Sequence, residues 1–266
     1  MNARYAELPM YVAPYRVRMA NDEWLELIAH KLGVERLPAA HLSLPMLWQD
    51  PRLLLSQTCG YPLMTLLKGK VRLIGRPCYE FPDSGKGQHC SLFMARADDP
   101  RQDLADFAGS CGVINGPDSN TGMNLLRHSL APLQHGGQFF SSLQVSGGHR
   151  ESLRWLREAR ADLASVDSVT FAYLARDASH EVVGLRTIGR SAASPTLPYI
   201  TGLESSAEQA EEVRAAMNQS LRELPEVAQI LGISEVLAAS EADYEILLAY
   251  ERQAATLGLE HLHAVQ

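Results

Sequence analysis

Four times along this chain an apolar run ends in a small, hydroxyl-rich or glycine-containing loop that opens a helix: Gln57 to Tyr61, Asn115 to Gly122, Ser146 to His149, and Asp167-Ser168. Such alternation of strand, loop and helix predicts an α/β fold with a largely parallel sheet. In open α/β sheets loops of this kind gather at the carboxyl ends of the strands, where ligands bind. A helix opening offers up to four unpaired N–H groups and the positive end of the helix dipole, so several openings facing one hollow would cradle an anion without a lysine. Taken singly, each loop is also an ordinary helix cap, because Ser, Thr, Asn and Asp are preferred there whether or not a ligand binds.

The remaining segments extend the pattern. Ala6 to Val12 reads as a first strand, followed by a helix with Asn21 as cap and Trp24, Leu25, Ile28 and Leu32 on one face. Leu53 to Leu55, Val71 to Ile74, Cys111 to Ile114, Phe139 to Val145, Leu163 to Val166 and Val182 to Ile188 read as strands. Two amphipathic helices end the chain. Ala210, Val213, Met217, Leu221 and Leu224 line the first, while Ile246, Tyr250, Ala254 and Leu257 line the second, with Ser240 and Asp243 as its capping box.

Composition narrows the partners. The 266 residues carry 31 acidic and 24 basic side chains, a formal net charge of -7, with no Lys/Arg cluster, which argues against nucleic acid. That balance repels anions at long range, so any anion site must work through local donors. No apolar run approaches the roughly 18 residues that span a bilayer, so membrane insertion is not expected. The N-terminus shows no apolar core of signal-peptide length; the expectation is a cytoplasmic protein as given, or a periplasmic one if a leader was removed. Cys59, Cys78, Cys90 and Cys111 form no CxxC pair and no metal-ligand rhythm, and no cofactor or metal site is expected.

Within the loops, Asp118-Ser119-Asn120-Thr121-Gly122 suits an anion best: Ser119 and Thr121 add hydroxyl donors, and Gly122 lets an anion approach the backbone. His149 offers an imidazole donor or an acid-base group, against the plainer reading of a surface histidine. Asp167 would repel a phosphate, so facing a ligand it would read an amine or hydroxyl, and otherwise it caps a helix. Cys59 with His149 as base is the candidate for an enzyme, weighed against a buried inert thiol.

The Asn115 to Gly122 turn, Ser146 to His149, Asp167-Ser168 and the return segment Ser194-Pro195-Thr196-Leu197-Pro198 together resemble, in order and spacing, the phosphate/phosphonate ABC-transporter substrate-binding proteins, the PhnD-like family, over Leu53 to Gly202. The resemblance implies a two-lobed type II periplasmic-binding-protein fold with two crossover segments, near Leu92 to Asp98 and Ile188 to Pro195. Lobe I would comprise residues 1–95 and 192–266, lobe II residues 96–191. It implies a non-catalytic protein holding a phosphonate, phosphate or similar oxyanion in an interlobe cleft, with Ser119, Asn120, Thr121, Gly122, Ser146 and His149 on the oxyanion, Asp167 on a second ligand group, and Tyr15 and Tyr61 as walls. Partners would be an ABC permease or a signalling protein. The alternatives are an enzyme of cofactor or phosphorus metabolism on the same scaffold, and a ligand-sensing module. The family's Ser-Thr-Ser-Gly turn is here Ser119-Asn120-Thr121-Gly122, one hydroxyl fewer.

Overall fold

The computed structural model describes residues 2–262. The chain forms two compact units, Met1–Gln88 with Pro195–Tyr244, and His89–Ser194 with Glu245–Gln266. It passes between them at 88/89, 194/195 and 244/245. The third passage differs from expectation: the last helix, α9 (Glu241–Thr256), starts in unit 1 and runs into unit 2, where both final helices were expected in the first lobe.

In unit 1 a six-stranded sheet has the order β14-β4-β13-β3-β1-β2. Its strands are β1 (Asn2–Glu7), β2 (Val34–Leu37), β3 (Leu53–Gln57), β4 (Val71–Tyr79), β13 (Tyr199–Gly202) and β14 (Ile233–Leu237). β1 runs parallel to β2 and β3, whereas β13 is antiparallel to β3 and β4, and β14 to β4. The sheet is therefore mixed and not largely parallel. The first helix, α1 (Tyr15–Lys31), places Trp24, Leu25 and Ile28 in the core as the periodicity required. Asn21 is not its cap: it lies mid-helix, buried, and donates from Nδ2 to the Tyr11 carbonyl at 3.0 Å. The short helices α2 (Leu44–Trp48) and α3 (Gly60–Met64) and the longer α7 (Ala207–Glu223) and α8 (Pro225–Leu231) complete the unit. Helix α7 opens on a capping box formed by Ser206 and Gln209.

The passages at 88/89 and 194/195 fall in two-residue strands, β6 (Gln88–His89) and β12 (Ser194–Pro195), the first preceded by β5 (Ser84–Gly85). Leu92 to Asp98, expected as a crossover, contributes instead to β7 (Ser91–Arg96), a central strand of unit 2 whose Leu92, Phe93 and Met94 are buried. Ile188 likewise belongs to β11 (Leu185–Arg190).

Unit 2 is built on a five-stranded sheet of order β11-β7-β10-β8-β9, with β8 (Cys111–Ile114), β9 (Ser142–Val145) and β10 (Leu163–Asp167). β10, β8 and β9 are neighbours and parallel, so their carboxyl ends share one edge of the sheet. Those ends lead into a π-helical turn (Asn120–Asn124) continued by α4 (Leu125–Leu130), into α5 (His149–Arg157), and into α6 (Ser168–Asp177). β7 is antiparallel to β10 with Ser91 opposite Asp167, which brings the start of β7 to that same edge. Leu92, Met94, Val113, Leu153, Leu156, Ala164, Val166 and Leu174 form the core beneath it. In α9 the buried side chains are Tyr244, Leu247 and Ala254; of the expected face Ala254 is buried and Tyr250 partly so, whereas Ile246 and, just past the helix, Leu257 are exposed.

Candidate functional site in unit 2

At the shared strand edge, backbone topology does what no local pattern announces: it gathers polar side chains from five separate stretches of chain. Thr121 Oγ1 and His149 Nε2, 28 residues apart, lie 3.1 Å from each other. The Thr121 carbonyl accepts from two hydroxyls, Ser91 Oγ at 2.7 Å and Ser165 Oγ at 2.5 Å, which fixes the turn against β7 and β10. Asn120 Nδ2 donates to Ser194 Oγ at 3.1 Å, and Asn120 Oδ1 accepts from Asn124 Nδ2 at 3.2 Å. Every residue of the π-turn is buried. Such turns often mark functional sites, because they widen the helix and free backbone groups.

Two residues of the predicted anion loop have local work. Ser119 Oγ accepts from Gly122 N at 2.9 Å and so caps the turn. Gly122 is demanded by its neighbour rather than by an approaching anion: a Cβ there would sit 1.6 Å from Asn115 Oδ1. Ser146 is likewise engaged within its loop, with Oγ 2.7 Å from Ser152 Oγ and 3.0 Å from the Gly148 carbonyl at the start of α5.

Asp167 caps α6, accepting from Thr170 N at 2.8 Å through Oδ1. Its Oδ2 lies 3.0 Å from His89 Nδ1, in side chains 3% and 0% exposed respectively. Burial alone would raise the Asp167 pKa; His89, then His149 and the Thr170 amide, outweigh it and hold the carboxyl below its usual range. His149 shows the opposite balance. Burial of its ring lowers its pKa below the ordinary imidazole value despite the pull of Asp167. His89, Ser91 and Ser165 escaped sequence reasoning, and Ser194 was read only as the start of the return segment. Only the register of β7 against β10 brings His89 to Asp167, and no periodic signal carries that register.

Tyr15 and Tyr61 are in unit 1. Tyr15 opens α1, 66% exposed, with the Arg18 guanidinium 5.3 Å from its ring centroid, and Tyr61 lies in α3. Cys59 is the N-cap residue of α3 in unit 1, and His149 belongs to unit 2. Among the described residues no three His, Cys, Asp or Glu side chains form a group able to hold a metal ion, and no helix is long and apolar enough to cross a membrane.

An α/β fold in two units, with hydroxyl, amide and imidazole groups clustered at the helix openings of one of them, has the layout of a solute-binding class of protein. A family model described as ABC transporter, phosphonate, periplasmic substrate-binding protein matches residues 56–244, and the chain belongs to that family. Solved structures agree in fold. A binding protein component of an ABC phosphonate transporter from Pseudomonas aeruginosa aligns with a TM-score of 0.79 at 14% identity, over 96% of this chain and 87% of that one. PhnD1 from Prochlorococcus marinus in complex with methylphosphonate aligns with a TM-score of 0.75 at 8% identity, over 96% and 98%. A Xanthomonas citri protein bound to ATP aligns with a TM-score of 0.67 at 13% identity, over 97% and 98%. A search of curated proteins finds no match to the sequence.

Proposed function

We infer that this chain binds a small tetrahedral oxyanion of the phosphonate or phosphate class without transforming it, at the Asn120–Thr121–His149 edge of unit 2. The observation that carries the reading is the 3.1 Å approach of Thr121 Oγ1 and His149 Nε2, two donor-capable groups from different helix openings. An oxyanion accepts hydrogen bonds from hydroxyl, imidazole and backbone N–H groups, and these replace its water shell. The family's place is the periplasm, and the role that follows is delivery of the ligand to an ABC permease. Methylphosphonate held by the Prochlorococcus protein supports the ligand class. The ATP held by the Xanthomonas protein offers a terminal phosphate of related chemistry and belongs in the same panel.

Thermal unfolding at fixed pH with phosphate, sulfate, methylphosphonate, aminoethylphosphonate and ATP tests the reading. A ligand at about a hundred times its Kd stabilises the folded state by about 2.7 kcal/mol and raises Tm by several degrees. Thr121→Val and Asn120→Ala are expected to remove that response. Binding that survives both substitutions would place the ligand elsewhere.

A further inference from the structure

Joined to the Asn120–Thr121–His149 edge by hydrogen bonds is a run of buried polar side chains that oxyanion binding does not by itself explain; the inference drawn from it rests on the proposed function. Arg127 in α4 has a side chain only 4% exposed. Its Nη2 donates to Asn124 Oδ1 at 2.8 Å and its Nη1 to the Glu260 carbonyl at 2.9 Å, with Glu251 Oε1 3.5 Å away. Asn124, fully buried, donates from Nδ2 to the Leu247 carbonyl of α9 at 3.0 Å and to Asn120 Oδ1 at 3.2 Å. Asn120 in turn donates from Nδ2 to Ser194 Oγ at 3.1 Å. All of these residues lie in unit 2.

The direction of this chain is set by the chemistry at its far end. A guanidinium has donors only and a peptide carbonyl accepts only, so Asn124 must turn its oxygen to Arg127 and its nitrogen to Leu247. Both Asn124 amide hydrogens are then engaged, the second on Asn120, whose oxygen is thereby turned to Asn124. We propose that Asn124, held by Arg127, is a positioning residue that locks the Asn120 amide with its nitrogen toward Ser194 and the oxyanion, so that Asn120 offers the ligand donors and withholds its carbonyl oxygen. An amide free to turn over would in part of the molecules set a buried oxygen against an oxyanion, which repels it and leaves both unpaired. The lock removes that state before the ligand arrives, which is preorganisation. Hydrogen bonds in such a chain polarise one another, and the charged donor at its head strengthens the donors that follow. The selectivity that results favours ligand oxygens that accept and gives nothing from Asn120 to a ligand group that needs an acceptor.

Side-chain amide NMR of the full chain, made with isotope-labelled asparagine, reads the orientation directly, with Asn120→Ala and Asn124→Ala assigning the signals. In wild type the Asn120 amide protons are expected to shift when methylphosphonate is added, and the Asn124 amide protons to stay protected from solvent exchange with and without it. Asn124→Ala should bind methylphosphonate at least about tenfold more weakly, and its Asn120 amide signals should lose their fixed positions. Asn124→Asp matches the shape, can only accept, and carries a charge that Arg127 neutralises. It should turn the Asn120 amide over and weaken binding more than the alanine does, although the alanine leaves the larger cavity. A purely structural role for Asn124 predicts the reverse order and Asn120 signals unchanged from wild type, and either result overturns the proposal. The wild-type spectra suffice if neither variant folds: methylphosphonate bound with Asn120 protons unmoved, or with Asn124 protons in rapid exchange, overturns it as well. Each of these outcomes leaves oxyanion binding itself intact, whereas failure of wild type to bind any oxyanion overturns both.

Discussion

His89 Nδ1 and Asp167 Oδ2 face each other at 3.0 Å across the β7–β10 pairing, both inside unit 2 and both essentially sealed from water. The contact is long-range in sequence and local in the sheet: β7 begins where β10 ends because the strands are antiparallel. A buried pair of this kind is poor insurance for stability against an apolar alternative, yet removing one member leaves an uncompensated polar group. It therefore constrains substitutions at either residue sharply.

Asp167→Ala is expected to cost about 3 kcal/mol, through loss of the α6 cap and of the carboxylate beside His89. Asp167→Asn keeps an oxygen for Thr170 N and should recover part of that cost. Urea unfolding of both variants checks the order; equal losses would show that the cap alone matters.

Acid should weaken the fold in two stages. Between the lowered folded value of His149 and about 6.5 the unfolded chain binds more protons, so stability rises with pH there and falls on acidification. Asp167 is also held low, so its contribution is present above about pH 4 and is lost as pH falls through its folded value. Denaturation at pH ~7 and pH ~5 should show a smaller difference for His149→Gln than for wild type.

Gly122→Ala places a methyl group on Asn115 Oδ1 and against the capping Ser119 hydroxyl, so the Asn115 side chain must shift. A loss of about 1–3 kcal/mol is expected, as for overpacked cores. The double variant Asn115→Ala with Gly122→Ala should regain much of it, since the opposing side chain is gone. A double-mutant cycle by thermal unfolding measures the coupling.

Asp99 in unit 2 makes a close ion pair with Arg101, at 2.6 Å, which together with the Arg101 backbone amide lowers its pKa to about 2 against the opposing effect of burial. Asp99→Asn should cost about 1–2 kcal/mol at neutral pH once solvent screening is allowed for. Because the folded value is depressed, that contribution exists above about pH 4 and fades as pH falls toward 2; the variant's deficit should shrink in the same window.

Local pattern accounts for much of the architecture. Leu53–Gln57, Cys111–Ile114 and Leu163–Asp167 are short, apolar, fully or largely buried strands flanked by turn residues, and such runs are legible from composition alone. The amphipathic stripe Ala210, Val213, Met217 and Leu221 is buried in α7 as its period requires. Strands Val34–Leu37, Tyr199–Gly202 and Ile233–Leu237 went unread, and β7 was taken for a linker, because short strands without a clean alternation of period two resemble loop.

What the amino-acid order determined by itself is where helices open and which hydroxyl, amide and imidazole groups stand at those openings, since capping and periodicity act over a few residues. What only the tertiary structure decided is which of those groups meet. The antiparallel register of β7 on β10 set His89 against Asp167, the adjacency of β8 with β9 set Thr121 beside His149, and the space taken by Asn115 made position 122 a glycine. Pairing across a sheet depends on contacts between distant segments, and no local propensity carries that information.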